Sequence, residues 1–217
     1  MARRGIQVRS LVRGGFFLLG LLVCWSAPLK ALDYEGIKKA YYESYRLERE
    51  GRYARAREAL RPVYETFPRA YTVNLRLGWL YYLEGRYRNA IEHYQIAAAA
   101  APQAVEPLLG LSLPYLARKD WRRVEELMYR VLKIDYYNYY GNLRLARALR
   151  EEKKYRQAEV VCRKMLTLYP TDVAFLTELA LTLELSGCHK EALALFRDIL
   201  ILDPRNSVAK EYLSEKH

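Results

Sequence analysis

The feature that most constrains this chain is that it repeats itself every 34 residues. From Ile37 to Asn206 it falls into five ungapped units, beginning at Ile37, Tyr71, Val105, Tyr139 and Val173. A period of this length marks a repeat architecture, in which each unit buries its apolar face only against its neighbours. Within a unit, apolar residues recur at three- and four-residue spacing, the period of one helix face. In the second unit one helix runs from Tyr71 to Glu84 and is closed by Gly85, and another runs from Tyr87 until Pro102 stops it.

The aligned columns agree in size as well as polarity. Ser44, Gly78, Ser112, Ala146 and Ala180 are small in the middle of each first helix, and Ala56, Ala90, Val124, Ala158 and Ala192 are small or nearly so in each second helix. Backbones can approach only where side chains allow it, so the two columns mark the helix crossing. Tyr53, Tyr87, Trp121, Tyr155 and His189 form a wedge column at the turn, and Pro68, Pro102, Pro170 and Pro204 end four of the second helices.

At these residues the chain resembles the tetratricopeptide repeat family. The resemblance covers residues 37–206, in units 37–70, 71–104, 105–138, 139–172 and 173–206. It implies an all-α fold, a right-handed α-solenoid of five helix-turn-helix repeats whose first helices line a concave surface. It implies nothing about catalysis. The expectation is ten helices in five hairpins, followed by a capping helix over 207–217, within a domain of residues 32–217. One departure is the position where the family carries a bulky residue, occupied here by Ala40, Asn74, Leu108, Asn142 and Leu176. The two asparagines lead us to expect looser packing at the starts of the second and fourth units. Pro114 should kink the first helix of the third unit by removing a backbone bond to Gly110.

The formal net charge is +11. Residues 1–31 contribute five cations and no acid, leaving +6 for the rest. Their basic start, their apolar run from Phe16 to Trp25 and their small-residue exit describe a secretory signal peptide, cleaved near Ala31. An uncleaved N-terminal anchor ranks second, although the run is short against the ~20 residues a membrane helix needs. Lipid modification at Cys24, in a partial lipobox, ranks third. The chain is therefore expected to be exported, periplasmic or extracellular, with membrane anchoring through its N-terminus as the alternative. Of the remaining cysteines, Cys162 falls in a core column and Cys188 in a turn, so two separate thiols are expected rather than a disulfide.

No catalytic constellation, metal site or cofactor motif stands out. His93, His189 and His217 are scattered, and the glycines sit at helix ends or crossings. The chemistry is expected on two surfaces. The first is the concave groove, with Tyr41, Tyr42, Tyr45, Arg76, Trp79, Tyr82, Leu113, Arg144, Arg147 and Arg150 as candidate partner-binding residues. Tyr, Trp and Arg are enriched at binding hot spots, and the arginines are expected to pair with a partner's acids. The bland alternative for Tyr41, Tyr45 and Trp79 is packing against neighbouring helices. The second surface is a basic edge formed by the turns, comprising Arg52, Arg55, Arg86, Arg88, Arg118, Lys119, Arg122, Arg123, Lys153, Lys154, Arg156 and Lys190. Those turn windows hold twelve cations and five acids, whereas the opposite rim sums to −1. A solvated edge explains such a run, and attraction to an anionic membrane or polymer is the functional alternative. Nucleic acid would suit the charge, but an exported chain would seldom meet it.

The resulting expectation is a non-enzymatic protein–protein interaction scaffold of the cell envelope, binding a peptide or helix in its groove. The alternative is an assembly factor for an envelope complex or polysaccharide exporter, held at an anionic surface by the basic edge. Neither the partner nor the oligomeric state is legible.

Overall fold

The computed structural model describes residues 32–215, so the expectations for the N-terminal targeting segment and Cys24 lie outside the described residues. Among the described residues the structure is all helical. The helices are α1 (Tyr34–Arg49), α2 (Tyr53–Ala59), α3 (Arg61–Thr66), α4 (Tyr71–Leu83), α5 (Tyr87–Ala100), α6 (Glu106–Ala117), α7 (Trp121–Ile134), α8 (Tyr139–Glu151), α9 (Tyr155–Leu166), α10 (Val173–Leu185), α11 (His189–Leu202) and α12 (Ser207–Glu215). Each first helix packs on the second helix of its own unit, and α4 also packs on α6 and α8 on α10. The result is an α-solenoid.

The two small-residue columns are buried throughout, with Ser44, Ser112, Ala146 and Ala180 of the first column and all five members of the second at 0% exposure. The core follows the stack as three successive clusters. Leu47, Leu60 and Leu77 belong to one end, Tyr94, Met128 and Leu145 to the middle, and Phe175, Phe196 and Ile199 to the other end. α12 covers the last unit by seating Ala209 and stacking Tyr212 on Phe196, 4.1 Å between ring centres. Cys162 is buried and Cys188 exposed, and both are free thiols.

α1 starts at Tyr34, where the Asp33 carboxylate accepts from the Gly36 N–H at 2.8 Å and caps it. Two local expectations are corrected. The second helix of the first unit is interrupted at Leu60, giving α2 and α3. Pro62 has no N–H for the carbonyl of Glu58, so the ladder cannot run through. The asparagines tighten their units rather than loosening them. Asn74 and Asn142 are fully buried, and each donates twice to carbonyls of the preceding loop. Asn74 bonds Pro68 (2.9 Å) and Ala70 (2.8 Å), while Asn142 bonds Tyr136 (3.0 Å) and Asn138 (2.9 Å). An amide that ties down a loop replaces the bulk of an apolar side chain. α6 meanwhile runs on through Pro114.

The two asparagines differ in what their oxygens meet. Asn74 Oδ1 lies 2.9 Å from His93 Nδ1, and His93 stacks on Tyr81 with Tyr64 edge-on. Because both donors of Asn74 are engaged, its oxygen is the acceptor and Nδ1 carries the proton. In the fourth unit Val161 stands at the position of His93, and Asn142 Oδ1 is buried without a partner. Burial holds the His93 pKa below its usual 6.5. The unfolded chain therefore binds more protons below that pH, and the stability present above pH 6.5 is lost as pH falls. We expect the Tm of the wild type to drop between pH 6.5 and 5 more steeply than that of His93→Gln, measured by thermal melts across that range.

A concave groove closed in one half and open in the other

The first helices present the expected columns, but the two halves of that face differ. In the N-terminal half Arg76 and Trp79 are satisfied by residues of α1. Arg76 is only 8% exposed, donates to Ser44 Oγ at 3.2 and 3.3 Å, and is ion-paired with Glu48. Trp79 Nε1 donates to the other oxygen of Glu48 at 2.7 Å. The Trp79 ring lies 5.7 Å from Tyr82, which stacks on Tyr87 at 5.9 Å. Tyr45 is 45% exposed, with the Arg76 guanidinium 4.0 Å above its ring. Tyr41 tilts against Tyr45, and burial pushes its phenol pKa up. Tyr42, 66% exposed, is more open to solvent than Tyr45. Arg76 and Trp79 thus serve unit-to-unit packing, which corrects the expectation that they project freely toward a partner.

The link recurs at a spacing of 28 residues, one that sequence reading missed. Glu48 meets Arg76, Arg150 meets Glu178 (2.9 Å), and Glu184 accepts from the Tyr212 hydroxyl (2.5 Å). Each bond joins the last turn of one first helix to the first-helix face of the next unit, or to α12. Arg150 also pairs with Glu151 at 3.0 Å, so its charge is compensated internally.

Between the second and third units no such charge pair exists, and Tyr94 takes over. A Cβ added at Gly78 would lie 2.9 Å from its ring, and one at Gly110 would lie 2.3 Å away. The ring is therefore held between two glycines that must stay glycine.

In the C-terminal half the face opens into a groove of about 600 Å³. Leu113, Leu116, Leu143, Val173 and Thr177 supply its apolar walls, and Arg144, Arg147 and Glu178 its charges. Arg144 is half-buried and donates to the Leu109 carbonyl (2.6 Å) and Ser112 Oγ (2.8 Å), both neutral acceptors. Gly110, beside Leu109, adds no side chain to that approach. Burial without a carboxylate lowers the Arg144 pKa. Arg147 is exposed, 5.5 Å over the Trp121 ring, and no carboxylate lies within ion-pair distance of it. Of the three arginines expected to meet a partner's acids, Arg144 and Arg147 remain uncompensated while Arg150 is used internally. Val173, Ala174 and Asn206 also line the groove; the sequence reading had not placed them there.

All twelve residues of the basic edge are exposed. Some are neutralised, such as Arg52 by Glu50 (2.9 Å), Arg123 by Glu126 (3.1 Å) and Lys154 by Glu125 (2.6 Å). Arg86 lies 3.8 Å from Glu84, and Arg122 shares Glu126. Arg55, Arg88, Arg118, Lys119, Lys153, Arg156 and Lys190 have no such carboxylate. Among the described residues no group of three or more His, Cys, Asp or Glu could hold a metal ion, and no helix is long and apolar enough to cross a membrane.

A tetratricopeptide repeat family model matches residues 43–105. Three solved structures share the architecture. MamA MSR-1 is 26% identical, with a TM-score of 0.64 over 79% of this chain and 99% of its own. A tetratricopeptide repeat protein from Parabacteroides merdae ATCC 43184 is 17% identical, with a TM-score of 0.75 over 82% and 70%. YrrB, a TPR protein with an unusual peptide-binding site, is 13% identical, with a TM-score of 0.68 over 81% and 90%. Residues 43–105 thus match the tetratricopeptide repeat family, and the 34-residue register runs on from that segment through Asn206.

Proposed function

We propose that this protein is a non-catalytic interaction scaffold that receives an acidic peptide or helix in the open half of its groove. The observation that carries the reading is the uncompensated pair Arg144 and Arg147 beside Leu113, Leu116 and Leu143. A cation desolvated against neutral acceptors gains most from an incoming carboxylate, because charge pairs strengthen as water is excluded. Leucines on the same wall reward an apolar side chain adjacent to that acid. The ligand class is therefore a segment with Asp or Glu one helical turn from Leu, Ile, Met or Phe. A peptide-binding site on YrrB, built on the same architecture, supports the reading.

Selection from a random peptide library against the full chain tests it. Enriched peptides should combine acids with large apolar residues, and a representative should lose at least tenfold in affinity to Arg147→Glu. Enrichment of basic or purely polar peptides, or affinity indifferent to Arg147→Glu, would overturn it.

A further inference from the structure

The turns of the basic edge contain a column that sequence reading missed. Residues 51, 85, 119, 153 and 187 are equivalent, and all have positive φ: Gly51 at 71°, Gly85 at 72°, Lys119 at 56°, Lys153 at 62° and Gly187 at 90°. Three units place glycine where the backbone turns left-handed, the residue that enters this region without steric cost. The third and fourth units place lysine there. A non-glycine residue held in a left-handed turn stores strain, and such outliers point toward function when fold alone does not require them. Here the neighbouring units demonstrate that the fold is served by glycine.

Both lysines are exposed at the tips of adjacent turns, and neither has a carboxylate within ion-pair distance. Arg118 and Arg156 flank them in the same condition. At the third and fourth turns the edge is a row of exposed cations, and two of its turn aromatics are engaged: Tyr87 lies under Arg118 and Trp121 under Arg147. Single-stranded nucleic acid is held by aromatic platforms within a basic groove; the pocket on this edge, at Arg52, Tyr53 and Arg55, belongs to the first turn and does not include Lys119 or Lys153. Unpaired cations on adjacent turns fit an extended anionic surface.

We infer that Lys119 and Lys153 form a docking edge for anionic lipid headgroups, retained against a conformational preference for glycine. The proposal goes beyond the groove and is independent of it. It carries an unusual signature: replacing both lysines by glycine should weaken membrane binding without weakening the fold.

The test is cosedimentation of the full chain with vesicles of phosphatidylcholine alone or with one quarter phosphatidylglycerol, at about 0.1 M salt, comparing wild type with Lys119→Gly/Lys153→Gly. The basic segment before residue 32 is common to both forms, so the readout is the ratio between them. Each lysine near an anionic leaflet contributes about fivefold to partitioning, so the double variant should bind anionic vesicles roughly twenty-five-fold more weakly. Its Tm should be unchanged or higher. Lys119→Asn/Lys153→Asn, with a side chain that tolerates this region, serves as the second variant should the glycines disturb the turns. Equal binding of wild type and variants to anionic vesicles overturns the proposal. So does a fall in Tm for both variants, which would make the lysines structural. If polyphosphate binds in a lysine-dependent manner while vesicles do not, the edge serves a soluble polyanion and the lipid assignment fails.

Discussion

Gly110→Ala is expected to lower folding stability by about 3 kcal/mol, although glycine-to-alanine changes inside a helix ordinarily stabilise by up to about 1 kcal/mol. The reversal follows from Tyr94. A Cβ at residue 110 would meet three atoms of its ring at 2.3, 2.6 and 2.7 Å, while Gly78 bounds the ring with contacts of 2.9 Å. Tyr94 is 2% exposed, so it has nowhere to go. Chemical denaturation measures the loss. Tyr94→Ala alone should cost about 3–5 kcal/mol through the cavity it leaves. The double variant should cost clearly less than the sum, because the added methyl then enters vacated space. Additivity would show that the ring and Gly110 do not constrain each other.

The second large effect is expected at Glu48. Its carboxylate receives both the Arg76 guanidinium and the Trp79 indole N–H, and the Arg76 side chain is only 7% exposed. Glu48→Gln removes the charge and leaves Arg76 buried beside neutral oxygens. Breaking such a pair from one side costs about 3–5 kcal/mol when both partners are deeply buried. Glu48 is 22% exposed, so about 2–3 kcal/mol is the appropriate expectation. In a cycle with Arg76→Gln, a coupling of at least ~1 kcal/mol should remain. A loss within ~0.5 kcal/mol for Glu48→Gln would mean that water already solvates the pair.

These two sites also show what the residues reveal before any coordinates. The solenoid is legible because size, unlike polarity, is hard to conserve by accident through five units. Ser44, Gly78, Ser112, Ala146 and Ala180 must be small for the backbones to cross, and all of them are buried. The binding face is legible only as a face. Glu48, Arg76 and Trp79 belong to its columns, but a column cannot show that one member satisfies another 28 residues away. The recurrence of that spacing at Arg150–Glu178 and Glu184–Tyr212 was available in the sequence and would have removed Arg76 and Arg150 from the candidates. The left-handed lysines were harder to see, since Lys119 and Lys153 are ordinary surface residues until their φ angles are known. Asn74 and Asn142 misled for another reason. A polar residue at a buried position can hold the chain when its donors are met, and the loop carbonyls meet the donors of both, while only Asn74 also finds a partner for its oxygen.

The central claim is that Arg76 and Trp79 are spent on holding units together, while the groove around Arg144 and Arg147 is available to a partner. Binding of one selected acidic peptide to three forms of the full chain, measured by calorimetry, addresses it directly. The account predicts that Arg147→Glu weakens affinity at least tenfold, whereas Tyr42→Ala, which removes the most exposed of that half's candidate binding aromatics, leaves it within twofold of wild type. The opposite pattern, with binding lost at Tyr42 and kept at Arg147, would contradict the assignment of the open half as the site.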